Sequence, residues 1–100
     1  MVAQLIKETT GEFQLSGIVD FESVPQLLHQ THTLFSDNQD VTVNLYGVEQ
    51  SNSAGLALII HWLQLAKEKK LSIQFKNIPS QLLEIAKISG IDSLFLSQNR

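Results

Sequence analysis

The sequence predicts an α/β domain: a mixed sheet of four to five strands with three main helices, in the order β-β-α-β-α-β-α. Three observations carry this reading. Short apolar stretches of strand length lie at 2–6, 12–15, 41–45 and 71–75. Longer stretches with apolar residues three or four apart separate the later ones, as βαβ crossovers require. Small turn residues alone separate the first two, so that pair reads as an antiparallel hairpin on an otherwise parallel sheet with right-handed crossovers.

Taken in order, the hairpin turns through Thr9, Thr10 and Gly11, the second strand covers Glu12 to Leu15, and the strand pattern gives way after Gly17. Val24, Leu27, Leu28, Thr31, Leu34 and Phe35 then fall near one helical face. Ser23 and Gln26 form a capping pair before it, Pro25 suits a first turn, and Ser36, Asp37 and Asn38 end the helix near 35. Val41, Val43 and Leu45 alternate with Thr42 and Asn44 as a strand, which Gly47 breaks. The second helix opens at Ser53, a good cap residue, and runs to about 69. Lys67, Lys69 and Lys70 complement the dipole at its end. Leu71, Ile73 and Phe75 alternate again. Pro79 sits in the first turn of a third helix whose face is Leu82, Ile85, Ala86 and Ser89, closed by Gly90. The stretch 94–96 adds a last strand or a docking tail.

Composition bounds the function. A chain of 100 residues is expected to form one domain, 1–100, with one core. With 43% hydrophobic and 17% charged residues it is an ordinary globular sequence. The absence of cysteine excludes disulfides and thiolate metal sites. A formal net charge of −3 without a basic run gives no footprint for nucleic acid. No apolar run has the length of a membrane span, and the first seven residues lack the regions of a secretion signal, so the expected compartment is the cytoplasm.

The chemistry-bearing motifs are missing. There is no Gly-rich phosphate loop, nucleophile elbow or H-E-x-x-H pair. His29 and His32 share a helix face without a third ligand close in the pattern, so no metal site is assigned. His61 lies on the polar stripe of the second helix with no nameable acid or nucleophile beside it. Asp20 and Glu22 suit the loop before the first helix, where negative charge favours the dipole. No catalytic residue and no cofactor are expected.

One stretch is informative. From Asn44 to Leu58 a strand runs into a turn of small residues and directly into a helix. Ser53 stands at the helix start, where free N–H groups favour an anion such as a phosphate; the plain alternative is a structural cap. Ala54 and Gly55 leave the turn open to the backbone of a partner. The second helix also carries an apolar stripe wider than the roughly 100° a sheet-packed helix needs. Leu56, Ile60 and Leu63 form the sector assigned to the core. Leu58, Trp62 and Leu65 form a second sector that faces neighbouring helices or a partner, with Trp62 either core or anchor.

The run Gly47-Val48-Glu49 through Asn52-Ser53-Ala54-Gly55-Leu56-Ala57-Leu58 resembles the signature of the STAS domain, the domain of bacterial anti-sigma-factor antagonists and sulfate-transporter tails. Lys76-Asn77-Ile78-Pro79 with Leu82 and Ala86, then Ser89-Gly90-Ile91, is also similar, so the likeness spans nearly the whole chain. With Trp62-Leu63 and Leu65-Ala66-Lys67 following, the pattern is closest to the MlaB-like branch, small STAS subunits of phospholipid-transport ABC systems. That resemblance implies a non-catalytic adaptor bound to the cytoplasmic, MlaF-like ATPase subunit of a transporter that maintains outer-membrane lipid asymmetry. It places the chain at the cytoplasmic face of the inner membrane through that partner. In the sigma-factor branch it implies instead a serine kinase anti-sigma factor that phosphorylates the motif residue, here Ser53. The family's acid before that residue is Asn52 here, which favours a constitutive adaptor over a phosphorylation switch. The implied contact set is Asn52, Ser53, Ala54, Gly55, Leu58 and Trp62, with the third helix beside it.

Overall fold

In the computed structural model, which describes residues 3–35 and 40–90, the predicted order β-β-α-β-α-β-α holds. Strands β1 (Gln4–Thr9) and β2 (Glu12–Val19) pair antiparallel around Thr10 and Gly11. Helix α1 (Val24–Leu34) crosses to β3 (Asp40–Ser51), and α2 (Ser53–Lys69) crosses to β4 (Ser72–Lys76). Helix α3 (Ser80–Ile88) follows. The described strands form one sheet in the order β1-β2-β3-β4, with β2, β3 and β4 parallel and β3 inside. The predicted strand positions at 2 and at 94–96 lie outside the described residues.

Two glycines read as strand ends lie inside strands. β2 continues through Gly17 and β3 through Gly47, and the β2–β3 register shifts on either side of Ser16 and Gly17. Gly17 takes φ 91°. A Cβ on Gly47 would stand 2.7 Å from the Ser16 Cβ, so the strands approach too closely for a side chain. Both glycines therefore bend the ladder without ending it.

One face of the sheet is buried and the other is polar. Phe13 and Leu15, Val41, Val43 and Leu45, and Ile73 and Phe75 face the core, while Gln14, Ser16, Thr42, Asn44 and Gln74 line the opposite face. Leu27 of α1, Leu58, Ile59 and Trp62 of α2, and Leu82 and Ala86 of α3 close the same core. An aromatic line runs across it: Phe13 to Phe35 at 5.1 Å, Phe35 to Trp62 at 5.9 Å and Trp62 to Phe75 at 6.3 Å between ring centroids.

The phase of α2 corrects the sequence reading. Leu58, Ile59, Trp62 and Ala66 form its deepest stripe, whereas Ile60 and Leu63 are only half-buried; Leu56 is buried as expected. Both stripes repeat at helical spacing, so period alone cannot say which meets the sheet. Flanking by α1 and α3 covers both sides, which is why the apolar arc is so wide.

Candidate functional site

The parallel strands β2 and β3 end side by side, and their carboxyl ends share a crevice with the start of α3. Ile18 and Val19 at the end of β2 with Asp20 after it, Gln50 and Ser51 at the end of β3 with Asn52 after it, and Gln81 in the first turn of α3 line it, around a volume of about 180 Å³. Crevices at the carboxyl ends of parallel strands are where open α/β sheets bring loops from separate crossovers together.

The loop between β2 and α1 is held by reciprocal bonds. The Asp20 carboxylate accepts the Glu22 N–H at 3.1 Å and the Ser23 N–H at 3.0 Å. The Ser23 hydroxyl accepts the Asp20 N–H and donates to the Asp20 carbonyl, both at 3.0 Å. Ser23 therefore caps nothing with Gln26: its backbone is already helical and its side chain is turned back on Asp20. Asp20 supplies the negative end at the helix start, as its position suggested. At the start of α3 the cap is also displaced by one residue. Pro79 stands just outside the helix, and its carbonyl accepts the N–H groups of Leu82 and Leu83 at 3.0 and 3.1 Å.

The start of α2 differs from the sequence reading in one atom set. Asn52, not Ser53, is the cap: its Oδ1 accepts the Ala54 N–H at 2.8 Å, and its carbonyl accepts the Gly55 N–H at 2.9 Å. Ser53 is the first helical residue and is exposed, with Asn52 exposed beside it. An extended backbone at Asn52 lets its side-chain amide oxygen close the turn, which leaves the Ser53 side chain free of that task.

The remaining predicted contact residues lie inside. Ala54 and Gly55 are buried. The space left by Gly55 is taken from within the molecule: a Cβ there would collide with the Ser51 Oγ and stand 3.4 Å from Leu82 Cδ1. The absence of a side chain at Gly55 thus serves the packing of β3, α2 and α3. Leu58 and Trp62 are both 0% exposed. The Trp62 indole N–H donates to the Thr31 hydroxyl at 3.2 Å, and that hydroxyl donates to the Leu27 carbonyl at 2.6 Å. Trp62 is core, whereas Asn52 and Ser53 are exposed.

His32 and His61, from α1 and α2, line a second groove with Leu28, Leu65, Gln64 and Glu68, while His29 points elsewhere on the exposed surface. Among the described residues no three His, Asp or Glu side chains come close enough to hold a metal ion. No described helix is long and apolar enough to cross a membrane.

One exposed residue of this edge carries no signal in the sequence pattern. Phe21, at the tip of the locked loop, is 66% exposed. A single apolar residue in a loop has no periodicity to mark it, and only the loop's placement beside Asn52 makes it visible.

Comparison with known proteins agrees with this architecture. A family model described as "Mlab, STAS domain" matches residues 3–97. No curated protein sequence matches the chain. Among solved structures, the anti-sigma factor antagonist SpoIIAA in its unphosphorylated form is similar with a TM-score of 0.73 at 14% identity. The match covers 99% of this chain and 86% of that one. That likeness concerns the fold, whereas the family match extends over the hairpin, the α2 start and α3 alike, and on it the chain belongs to the STAS-domain family of the MlaB type.

Proposed function

We propose that the chain is a non-catalytic adaptor that docks, through the loop edge at the start of α2, on the ATPase subunit of a phospholipid-transport ABC transporter. It works at the cytoplasmic face of the inner membrane, through that partner, in maintaining outer-membrane lipid asymmetry. The observation that carries the reading is the α2 start itself. Asn52 and Ser53 are exposed beside a crevice built from the ends of β2 and β3 and the start of α3. The first N–H groups of the helix are already engaged, at Ala54 by the Asn52 side chain and at Gly55 by the Asn52 carbonyl. A phosphate on Ser53 would find fewer free donors than an open helix end offers, so the site suits constant contact better than a phosphate switch. The crevice also lacks a nucleophile–base pair among its described residues. The Ser51 hydroxyl faces the Asn52 carbonyl at 3.3 Å, and the Asp20 carboxylate is spent on its own loop.

The second reading is an anti-sigma-factor antagonist controlled by phosphorylation of Ser53. The exposure of Ser53 and the likeness to SpoIIAA favour it. The two separate in one experiment. The purified chain is titrated calorimetrically with the transporter ATPase subunit of its own cell, and incubated in parallel with that cell's serine kinase anti-sigma factor and ATP. The adaptor reading expects saturable binding to the ATPase and an unmodified Ser53 by mass spectrometry. Stoichiometric phosphate on Ser53, with no heat on mixing with the ATPase, reverses the choice.

A further inference from the structure

The loop edge carries one large apolar side chain that the fold does not use. Phe21 is 66% exposed, and it is held there by the bonds between Asp20, Glu22 and Ser23. The ring therefore stands on a fixed loop, and little freedom is lost when a partner covers it. It neighbours Asp20, which shares the crevice with Asn52.

The two loops at this end, with their flanking residues, carry charge of one sign. Residues 17–24 and 47–57 include Asp20, Glu22 and Glu49 and no Lys, Arg or His. The carboxylate of Asp20 is spent on its loop, but Glu22 and Glu49 are exposed. The cations Lys67, Lys69 and Lys87 lie in the last turns of α2 and α3, at the other end of those helices.

We propose that Phe21 is the aromatic anchor of the docking surface, seated in an apolar pocket of a partner protein whose rim presents Lys or Arg to Glu22 and Glu49. The proposal rests on the docking reading above and adds the chemistry of the counterface. An exposed aromatic flanked by charge of one sign is the composition of an interface hot spot with a steering rim. An anionic lipid surface is disfavoured by the same two carboxylates. A second copy of the chain would set Glu22 and Glu49 against themselves across a two-fold axis.

The test places the photoreactive residue p-benzoylphenylalanine at position 21 and, separately, at position 53 of the full chain in its native cells. Both should cross-link on irradiation to the same polypeptide, and the segment joined to position 21 should be apolar and bordered by Lys or Arg. The adduct should vanish with Glu22→Lys and Glu49→Lys together. Against the purified partner, Phe21→Ala should weaken binding at least about thirtyfold without moving the thermal midpoint. If both positions capture one protein that is not a transporter ATPase, the anchor stands and the ATPase assignment falls. If position 53 captures the ATPase and position 21 captures nothing, the ATPase assignment stands and the anchor is overturned. Capture of lipid or of a second copy by position 21, survival of the adduct after charge reversal, or no adduct from either position also overturns it.

Discussion

Trp62 is the largest fully buried side chain, and its one polar atom has a single partner, Thr31, which is itself buried. Truncating Trp62 to Ala should cost about 3–5 kcal/mol of stability in urea denaturation, the range for an aromatic lost from a packed core. Thr31→Val tests the polar contact alone. It keeps the shape but leaves the indole N–H buried without an acceptor, so it should cost about 1–3 kcal/mol. Thr31→Ser, which retains the hydroxyl, should cost about 1 kcal/mol or less. A larger loss for Ser than for Val would mean that the methyl group, not the hydrogen bond, matters. The sequence marks Thr31 only as one position of the inner face of α1. Its pairing with a residue 31 positions later depends on how α1 and α2 lie side by side, which no local pattern encodes.

At Gly55 two effects oppose each other. Alanine would favour the helix by up to about 1 kcal/mol, but its Cβ meets the Ser51 hydroxyl. Gly55→Ala alone should be destabilising, by roughly 1 kcal/mol. In a Ser51→Ala background the same change should become neutral or stabilising, because the colliding atom is gone. A double-mutant cycle by thermal unfolding reads this, and the same sign in both backgrounds would contradict the packing described for this turn.

For elements, the α2 start gives the sharpest distinction. Asn52→Ala removes the cap acceptor of the Ala54 N–H and should cost about 1 kcal/mol. Ser53→Ala and Ser53→Glu should each stay within about 0.5 kcal/mol of the parent, since Ser53 caps nothing and lies exposed. Chemical denaturation of the three variants orders them, and a larger loss at Ser53 than at Asn52 would restore Ser53 as the cap. The element order was legible because apolar spacing is a local signal: β3, α2 and α3 each announce themselves in a few turns of sequence. The ends of β2 and β3 were not legible. Gly17 and Gly47 look like strand breakers in isolation, and become bulges only because β2 and β3 lie against each other. The phase of α2 was misread for a related reason. Two apolar sectors of equal spacing compete, and the positions of α1 and α3 decide between them.

Among the described residues, chemistry is divided between the two ends of α2 and α3. The loops after β2 and β3 hold Phe21 and Asn52, the first turns of α2 and α3 hold Ser53 and Gln81, and Glu22 and Glu49 are exposed. The last turns of α2 and α3 carry Lys67, Lys69 and Lys87. The motif at the α2 start was legible because it is one unbroken run of residues. The crevice was not, because Asp20, Asn52 and Gln81 meet only once two crossovers have brought the ends of β2 and β3 and the start of α3 together. The direct measurement is a backbone-amide NMR titration of the chain with the transporter ATPase subunit. Docking at this edge predicts shifted or broadened amides at 20–23, 50–54 and 80–81, with 67–70 unchanged. Changes centred on 67–70, or on Gln14, Thr42 and Asn44 of the polar sheet face, with the loops silent, would contradict it.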